Sequence, residues 1–389
     1  MDNSLSSTIF SSFSILSTTN ISIVIPVRDE ELYIKRTLNS LSNQVNEFGK
    51  PYDNKEFEIL ILANNCTDNS VAYIKDFQNA HPLLQIYLEE ISLPAAQANI
   101  GFVRRSLMDA AYLRLCENGE GIIMTTDGDT CVNEDWIVQT KLEISRGADA
   151  VGGRILLYPE ELELIDPSTK NYYYKDEQYQ LLLANLEETL LKNKSSVSTH
   201  HQHFNASFAI TTSCYKKSGG VPNVTQLEDC ALFERLQQID AKVKHSNAVV
   251  VHTSARFIGR VEIGLSYQLN IWKNLELDGT DFIVESYESI LNRLTIKKRL
   301  MKLWKSRDDF SDNLYQVIEK IIGSSISPDL YESFNNGNYF GSFFSEMMSL
   351  EKCELTSIYP PADIDSTIEK LQNVLTDYQL PTFSQTSMR

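Results

Sequence analysis

Short apolar runs alternate with longer amphipathic stretches between residues 21 and 157. The apolar runs are rich in β-branched residues and predict buried strands over 21–27, 57–63, 84–88, 121–126 and 148–157. The stretches between them predict amphipathic helices over 29–42, 69–79, 100–116 and 136–145. Strands that alternate with helices form mainly parallel sheets covered on both faces, so the pattern predicts an α/β fold.

The remainder of the chain is less regular. Helices are predicted over 175–192 and 226–238, and extended segments over 203–215 and 243–252. Beyond residue 280 the pattern is mainly helical and includes the capping box Ser366-x-x-Glu369. Half of residues 1–20 are Ser or Thr, which predicts a mobile tail. We therefore expect a tail over 1–20, an α/β domain over 21–280 and a helical C-terminal extension over 281–389.

Composition excludes several classes of protein. The 389 residues include 35 Lys and Arg against 52 Asp and Glu, and a net charge of −17 argues against a nucleic-acid-binding protein. No apolar run reaches the roughly 18 residues of a membrane span. The first twenty residues lack Lys and Arg, so we do not expect a signal peptide. We expect a cytoplasmic location. Six scattered cysteines without a Cys-x-x-Cys pair predict reduced thiols.

Polar loops follow the first, second and fourth predicted strands, at 26–31, 64–68 and 127–130. The carboxyl ends of parallel strands meet at one edge of a sheet, and ligands bind in the crevice there. Asp127 and Asp129 lie two apart on a turn, separated by Gly128, and could hold a divalent cation together with phosphate oxygens. The alternative is a turn whose acids are simply solvated.

Three further groups could carry chemistry. Glu228 and Asp229 open a helix, either as N-terminal acids that favour the helix dipole or as a general base at the crevice. Arg104 and Arg105 open another helix, where one could pair with a phosphate or orient an aspartate. His252, Arg256 and Arg260 leave an apolar strand and could bind a metal and a diphosphate, or be a packed histidine with surface arginines.

The histidines of the segment His200-His201-Gln202-His203 are open to three interpretations. A structural zinc site is one, although no cysteine or acid cluster surrounds them. Polar residues of an acceptor site and an ordinary loop are the others.

Five motifs, taken in order, resemble the family-2 glycosyltransferases. Residues 21–44, ISIVIPVRDEELYIKRTLNSLSNQ, are similar to the opening of that family, with Pro-Val-Arg-Asp-Glu at 26–30. The segments 64–70 and 101–105 resemble its loop after the second strand and its Gly-x-x-Arg helix. Asp127-Gly128-Asp129 resembles its metal motif, and Glu228-Asp229 its acceptor-base motif. The resemblance covers about residues 21–260, and the block 205–260 looks closest to a bacterial subgroup of soluble, single-domain members.

This resemblance implies a GT-A type fold, a mainly parallel twisted sheet flanked by helices, and an inverting, metal-dependent transfer of a sugar from a nucleotide-diphosphate sugar to an acceptor hydroxyl. Residues 21–157 would bind the donor and 158–280 the acceptor. Asp229 would be the catalytic base, with Glu228 and His203 on the acceptor side. A divalent ion, Mn²⁺ or Mg²⁺, would be held by Asp127, Asp129 and His252.

The resemblance further implies a donor-binding set composed of Pro26, Arg28, Glu30, Asn64, Asn65, Arg104, Asp127, Arg256 and Arg260. The family usually has an acid after the second strand, where this chain has Asn64 and Asn65. An amide can hydrogen-bond either a uracil or a guanine edge, so the base remains open between UDP and GDP donors.

Other functions fit the sequence less well. A non-catalytic sugar-nucleotide or glycan-binding protein would not need intact Asp127, Asp129 and Asp229. A sugar nucleotidyltransferase would need a glycine-rich phosphate loop after the first strand, and 26–31 contains no glycine. A dehydrogenase would need Gly-x-Gly-x-x-Gly after an early strand, which is absent.

The stretch 290–307 carries seven basic residues among apolar ones. A helix packed on the core is the favoured interpretation, because its apolar positions spread around the helix. A peripheral contact with an anionic membrane and an acidic partner are the alternatives.

Overall fold

The computed structural model describes Leu5 and residues 8–192, 199–310 and 313–377. The strands within these residues are β1 Ile21–Val27, β2 Phe57–Asn64, β3 Ile86–Ile91, β4 Ile122–Thr125, β5 Thr130–Val132, β6 Ala150–Leu157, β7 Phe208–Thr211, β8 Val243–Thr253, β9 Ile283–Val284 and β10 Ala362–Asp363. The α-helices are α1 Ile34–Ser42, α2 Ser70–Ala80, α3 Ile100–Glu117, α4 Trp136–Ser145, α5 Pro159–Leu164, α6 Pro167–Lys192, α7 Thr212–Ser218, α8 Glu228–Gln238, α9 Leu265–Asp278, α10 Tyr287–Lys305, α11 Leu314–Ile322, α12 Pro328–Asn336, α13 Phe340–Ile358 and α14 Ile364–Asp377.

The first eight strands form one sheet in the order β3-β2-β1-β4-β7-β6-β8-β5. The first four strands of that order are parallel, β6 and β8 are parallel to each other, and β7 runs antiparallel to both its neighbours. Every residue of β1 and β2 is buried, as expected of apolar strands covered on both faces. The predicted α/β class, a mainly parallel sheet flanked by helices, is confirmed.

Some elements differ locally from the predicted ones. The first helix begins at Ile34 rather than at residue 29, because Asp29 has a positive φ of 55° and starts a turn instead. The segment 203–215, predicted as extended, contains a 3₁₀ turn at Asn205–Ser207, then β7 and α7. Thr211 caps α7 by accepting a hydrogen bond from the Cys214 amide, which explains why a helix begins there.

The N-terminal segment departs from the prediction of a mobile tail in its described part. Phe10 is fully buried and Ile9 nearly so. The Arg114 guanidinium donates to the carbonyl oxygens of Phe10 and Phe13 at 3.1 and 2.6 Å, and its other nitrogens bind the buried Glu58 carboxylate. Residues 8–20 therefore pack on the domain, because their two apolar side chains and two carbonyl groups find buried partners there.

The chain divides into two compact units whose boundaries differ from the predicted ones. The first contains residues 1–165, 202–236 and 241–270, and the second contains 166–201, 237–240 and 271–389. The two units therefore do not meet at a single boundary at 280. Their segments alternate along the chain, and α6 belongs with the C-terminal helices. Its Leu182 and Leu186 pack with Ile290 and Leu294 of α10 and with α14.

The basic stretch 290–307 lies mainly in α10. The helix buries Ile290, Leu294, Ile296, Leu300 and Leu303 within the second unit. This burial on more than one side supports the interpretation of a packed helix. Among the described residues, no helix combines the length and the apolar character that a membrane crossing requires.

Candidate active site

The turn after β4 places Asp127 and Asp129 beside the end of β1. A Cβ at Gly128 would lie 3.0 Å from Glu30 Cγ and 3.5 Å from the Pro26 carbonyl oxygen. Gly128 therefore lets this turn lie directly on the chain that leaves β1. The two aspartates and Glu30 are brought together as predicted from the strand ends.

Arg104, from the first turns of α3, is the central cation of the site. Its side chain is 1% exposed, and it donates to the Thr126 carbonyl oxygen at 3.1 Å and to the Asp127 carboxylate. Its Nε lies 3.7 Å from the Glu228 carboxylate. One buried guanidinium thus pairs with an acid of the β4 turn and with an acid at the start of α8.

Asp129 is the more buried of the two aspartates. Its Oδ2 lies 3.0 Å from the Arg256 guanidinium, and the hydroxyls of Thr130 and Thr253 lie 3.4 Å from its Oδ1. Burial raises the pKa of Asp129 to about 7, against the lowering effect of Arg256. A desolvated carboxyl of this kind favours either its proton or additional positive charge nearby.

Glu30 and Arg256 form a bidentate ion pair, with distances of 2.6 and 2.7 Å. Glu30 is 5% exposed, and its amide donates to the Ser70 hydroxyl. Both residues belong to the predicted donor-binding set. The structure shows that their side chains bind each other, which holds Arg256 against Asp129.

Arg28, Asp29 and Arg260 form the outer part of the site. The Asp29 carboxylate accepts from the Thr67 amide at 2.6 Å, and its carbonyl oxygen accepts from the Arg260 guanidinium. Arg28 is exposed and donates to the Ala98 carbonyl oxygen at 3.3 Å. Arg28 and Arg260 thus remain on the solvent side of the buried ion pairs.

Asn64 and Asn65 end β2. Asn64 is buried, whereas Asn65 has a positive φ of 52°. The Asn65 amide group donates to the Leu93 carbonyl oxygen at 3.0 Å and accepts from the Leu93 amide at 3.1 Å. Asn65 therefore holds the chain after β3 in place. This structural role was not predicted from the sequence, which indicated only a contact with the nucleotide base.

The acidic start of α8 lies against the first turn of α3. A Cβ at Gly101 would be only 1.8 Å from the Val224 carbonyl oxygen, so only glycine allows this close approach. Asn205 donates to the Glu228 carboxylate at 3.0 Å, and burial raises the pKa of Glu228 against the effect of Arg104. The adjacent Asp229 is less buried, and its carboxylate accepts from the Cys230 amide.

His252 and His203, the two histidines of the predicted site, lie beside residues that the sequence did not indicate. His252 precedes Thr253 in β8, and successive side chains of a strand point to opposite faces. Because Thr253 faces Asp129, His252 faces away, and burial together with the Arg36 guanidinium lowers its pKa. This geometry does not support His252 as the third metal ligand, and that role stays a prediction. His203 stacks on the Phe233 ring of α8 at 3.8 Å.

Residues 22–204 match the family model described as glycosyl transferase family 2. This part of the chain is similar in sequence to glycosyl transferase family 2. The curated protein Glycosyltransferase AglE from Haloferax volcanii is 27% identical to the chain over 142 residues. That alignment covers 36% of this chain and 40% of AglE, so it spans less than half the length of this relative.

Solved structures similar to the chain include a mannosyltransferase and the protein TarS. The mannosyltransferase PcManGT from Pyrobaculum calidifontis, in complex with GDP-Man and Mn²⁺, is 12% identical, with a TM-score of 0.44 over 92% of this chain and 86% of that chain. Residues 1–349 of S. aureus TarS, in complex with UDP-GlcNAc, are 13% identical, with a TM-score of 0.41 over 86% and 92% of the two chains.

The candidate site has a small set of oxygen donors for a divalent ion. Among the described residues, no three His, Cys, Asp or Glu side chains come together as a metal site. Mg²⁺ often binds one or two carboxylates together with substrate phosphates and water, which is what Asp127 and Asp129 offer. The buried Asp129 carboxyl, with its raised pKa, would gain from such a cation. The two aspartates therefore fit an ion that arrives with a diphosphate.

Sequence reasoning missed several residues that position the candidate site. Asn205 binds Glu228, and its carbonyl oxygen accepts from Thr125 at 2.6 Å. Thr253 contacts Asp129, and Ser70 holds the Glu30 amide. These residues come from elements distant in sequence and carry no motif. Only Thr253 could have been identified from the sequence, because it is adjacent to His252 in a predicted strand and successive side chains of a strand point to opposite faces.

Proposed function

We propose that this chain is a glycosyltransferase that moves a sugar from a nucleotide-diphosphate sugar to an acceptor hydroxyl, with inversion at the anomeric carbon. The observation that carries the proposal is the Arg104 bridge, which joins Asp127 after β4 to Glu228 at the start of α8. It brings acids suited to a donor diphosphate and acids suited to an acceptor to one edge of the sheet. The family 2 match over residues 22–204 supports the same reaction class.

The donor's diphosphate is proposed to lie at Asp127 and Asp129, with a divalent ion, Mn²⁺ or Mg²⁺, held by these two carboxylates. Such an ion neutralises the charge of the departing diphosphate. Arg256 favours the ionised form of Asp129 and orients its carboxylate through a contact at 3.0 Å, and Glu30 fixes Arg256. Arg28 and Arg260, on the solvent side, are proposed to contact the nucleotide portion.

Asp229 is proposed to be the base that removes the proton of the acceptor hydroxyl. It opens α8 beside Glu228, whose own carboxylate is occupied by Asn205 and Arg104. Asp229 is less buried than Glu228, which suits a group that must meet an incoming acceptor. Direct attack by the activated hydroxyl inverts the anomeric carbon, so no second catalytic carboxylate is needed.

The test is a screen of nucleotide sugars for nucleotide release, with Mn²⁺ or Mg²⁺ present. The variant Asp229→Asn should retain donor binding and lose about 10²–10⁴-fold in turnover, the usual contribution of a general base. Asp76→Asn, on an exposed aspartate of α2, is the matched control and should behave as wild type.

Asp129→Ala should remove most activity and most of the dependence on the added metal. Failure of every nucleotide sugar to bind would refute the proposal. Binding without turnover in the wild-type protein, with candidate acceptors supplied, would favour a sugar-nucleotide-binding protein instead. The cytoplasmic location remains a prediction.

A further inference from the structure

The chain that leaves β8 carries Arg256, and the short helix α5 holds that chain in place. β8 pairs with β5 and β6 only as far as Thr253. Ala255 lies beyond the paired residues and is 5% exposed. A buried backbone amide needs an acceptor, and the Glu161 carboxylate of α5 accepts from the Ala255 amide at 2.7 Å. A side chain therefore continues the hydrogen bonding at the point where the sheet ends.

The sequence at the start of α5 explains why Glu161 reaches Ala255. The Tyr158 amide donates to the Thr253 carbonyl oxygen at 2.9 Å, which joins the ends of β6 and β8. Pro159 then occupies the first turn of α5, where its fixed φ and its missing N–H favour a helix start. The Glu161 amide donates back to the Tyr158 carbonyl oxygen at 3.0 Å. This first turn brings the Glu161 carboxylate to the end of β8.

The start of α5 supports the contact between Asp129 and Arg256 from both sides. The Tyr158 hydroxyl donates to the Asp129 carbonyl oxygen at 3.1 Å. Glu161 holds the amide that directly precedes Arg256, and the Arg256 amide itself donates to Ser254 Oγ at 3.2 Å. The backbone of each partner is therefore fixed, and Arg256 Nη2 lies 3.0 Å from Asp129 Oδ2.

Tyr33 lies beside both Glu161 and Arg256. Its ring centre is 5.8 Å from Arg256 Cζ, and the ring stacks on that of Tyr158 with centroids 6.3 Å apart. Burial raises the pKa of the Tyr33 hydroxyl, and the Glu161 carboxylate raises it further against the lowering effect of Ser254. A guanidinium over a tyrosine ring is favoured electrostatically. Glu161 thus lies among the groups that hold Arg256.

We propose that Glu161 is a positioning residue for the donor site. By holding the Ala255 amide, it places Arg256 where the guanidinium orients the Asp129 carboxylate for the divalent ion and the donor diphosphate. Glu161 itself would touch neither the donor nor the ion. The effect on donor binding rests on the proposed function, whereas the hold on the Ala255 amide does not.

Hydrogen exchange of the full chain, read by mass spectrometry over residues 253–258, tests the positioning without donor, acceptor or metal. Glu161→Ala should raise the exchange rate of the Ala255 amide about tenfold, because the amide loses its acceptor. Glu161→Gln should stay near wild type, since glutamine keeps an acceptor oxygen. Glu160→Ala is the matched control, because Glu160 lies next to Glu161 in α5 and pairs with Arg36 at 2.6 Å. It should exchange as wild type.

Kinetics with the donor found in the nucleotide-sugar screen test the consequence for the site. Glu161→Ala should raise the donor KM and the Mn²⁺ concentration for half-maximal turnover about tenfold, a usual effect of disturbing the groups that orient a ligating carboxylate. Because Asp229 is untouched, kcat at saturating donor and Mn²⁺ should stay unchanged, and Glu161→Gln should restore both constants. Binding of Mn²⁺ in the presence of UDP or GDP, measured by the electron paramagnetic resonance of the free ion, should weaken by the same factor.

Several results would overturn the inference. Unchanged exchange in Glu161→Ala would remove the positioning, and faster exchange with unchanged donor and Mn²⁺ constants would limit Glu161 to a structural role. Loss of turnover in Glu161→Gln as well as in Glu161→Ala would assign the carboxylate to the chemistry itself. Failure of the proposed function is distinguishable, because the wild type would then bind no nucleotide sugar while exchange over 253–258 still responded to Glu161→Ala.

Discussion

Replacing Gly101 by Ala tests how precisely the start of α8 must be held. The new Cβ would lie 1.8 Å from the Val224 carbonyl oxygen, whereas ordinary contact begins at 3.4 Å. Either α3 or the segment at 224–225 must therefore retreat by about 1.6 Å. We expect the segment to move, because α3 is a largely buried helix of 18 residues and residues 222–227 form no regular element.

Two effects of different size should follow. Overpacking of this kind costs about 1–3 kcal/mol of folding free energy. A displacement of about 1 Å at a reacting group can cost about 10²-fold in rate, and Asp229 lies five residues after Val224. We therefore expect kcat per folded molecule to fall about 10²-fold, while the donor KM stays unchanged because Arg104 and Asp127 do not move.

The assay is nucleotide release with a saturating donor, corrected for the folded fraction by thermal unfolding. Gly337→Ala is the control for steric stress, because its Cβ would lie 2.2 Å from the Ser333 carbonyl oxygen in the second unit. It should lower stability and leave kcat unchanged. Wild-type kcat in Gly101→Ala, or a donor KM that rises in place of a fall in kcat, would show that the reasoning about α8 is wrong.

Two further predictions concern stability. Burial raises the pKa of Asp176 from 3.8 to about 6, so the folded state favours the protonated acid, and its unfavourable contribution grows as pH rises from about 4 to above 6. Asp176→Asn should therefore stabilise the protein above pH 6 by up to about 3 kcal/mol, and denaturant titrations at about pH 3 and about pH 7 should show almost no gain at the lower pH. Arg114→Met leaves the fully buried Glu58 without its cation and should cost about 3–5 kcal/mol in the same titrations. Adding Glu58→Gln should recover much of that loss, and an undiminished loss in the double variant would contradict the charge-based explanation.

The sequence alone predicted the strands and helices in which apolar and polar residues follow a regular pattern. Apolar runs located β1, β2 and β4, and the rule that strand ends meet located Asp127, Asp129 and Glu30 together. The start of α1 was misplaced because the left-handed conformation of Asp29 leaves no periodic signal. The tail prediction failed for residues 8–20 because composition overlooked the burial of Ile9 and Phe10.

The sequence indicated which side chains lie near one another at the strand ends, but not which of them pair. Arg256 was expected to face a diphosphate, but its two partners, Glu30 and Asp129, lie more than a hundred residues earlier in the chain. His252 was assigned as a ligand because of its residue type, without applying the alternation of β8 that turns Thr253 toward Asp129. Pairings of this kind depend on side-chain direction and on long-range contacts, which spacing alone does not encode.

Because the two units interleave along the chain, α6 is synthesised well before the helices that it packs against. The final partners of α6 lie in α10 and α14, and α10 begins 95 residues after α6 ends, at Tyr287 after Lys192. At about 5–20 residues per second, the leucines of α6 wait roughly 5–20 s after leaving the ribosome before α10 is made. During that interval α6 exposes an apolar stripe to every neighbour in the cell. Yield should therefore respond to translation speed and chaperone supply more than to the final stability of either unit.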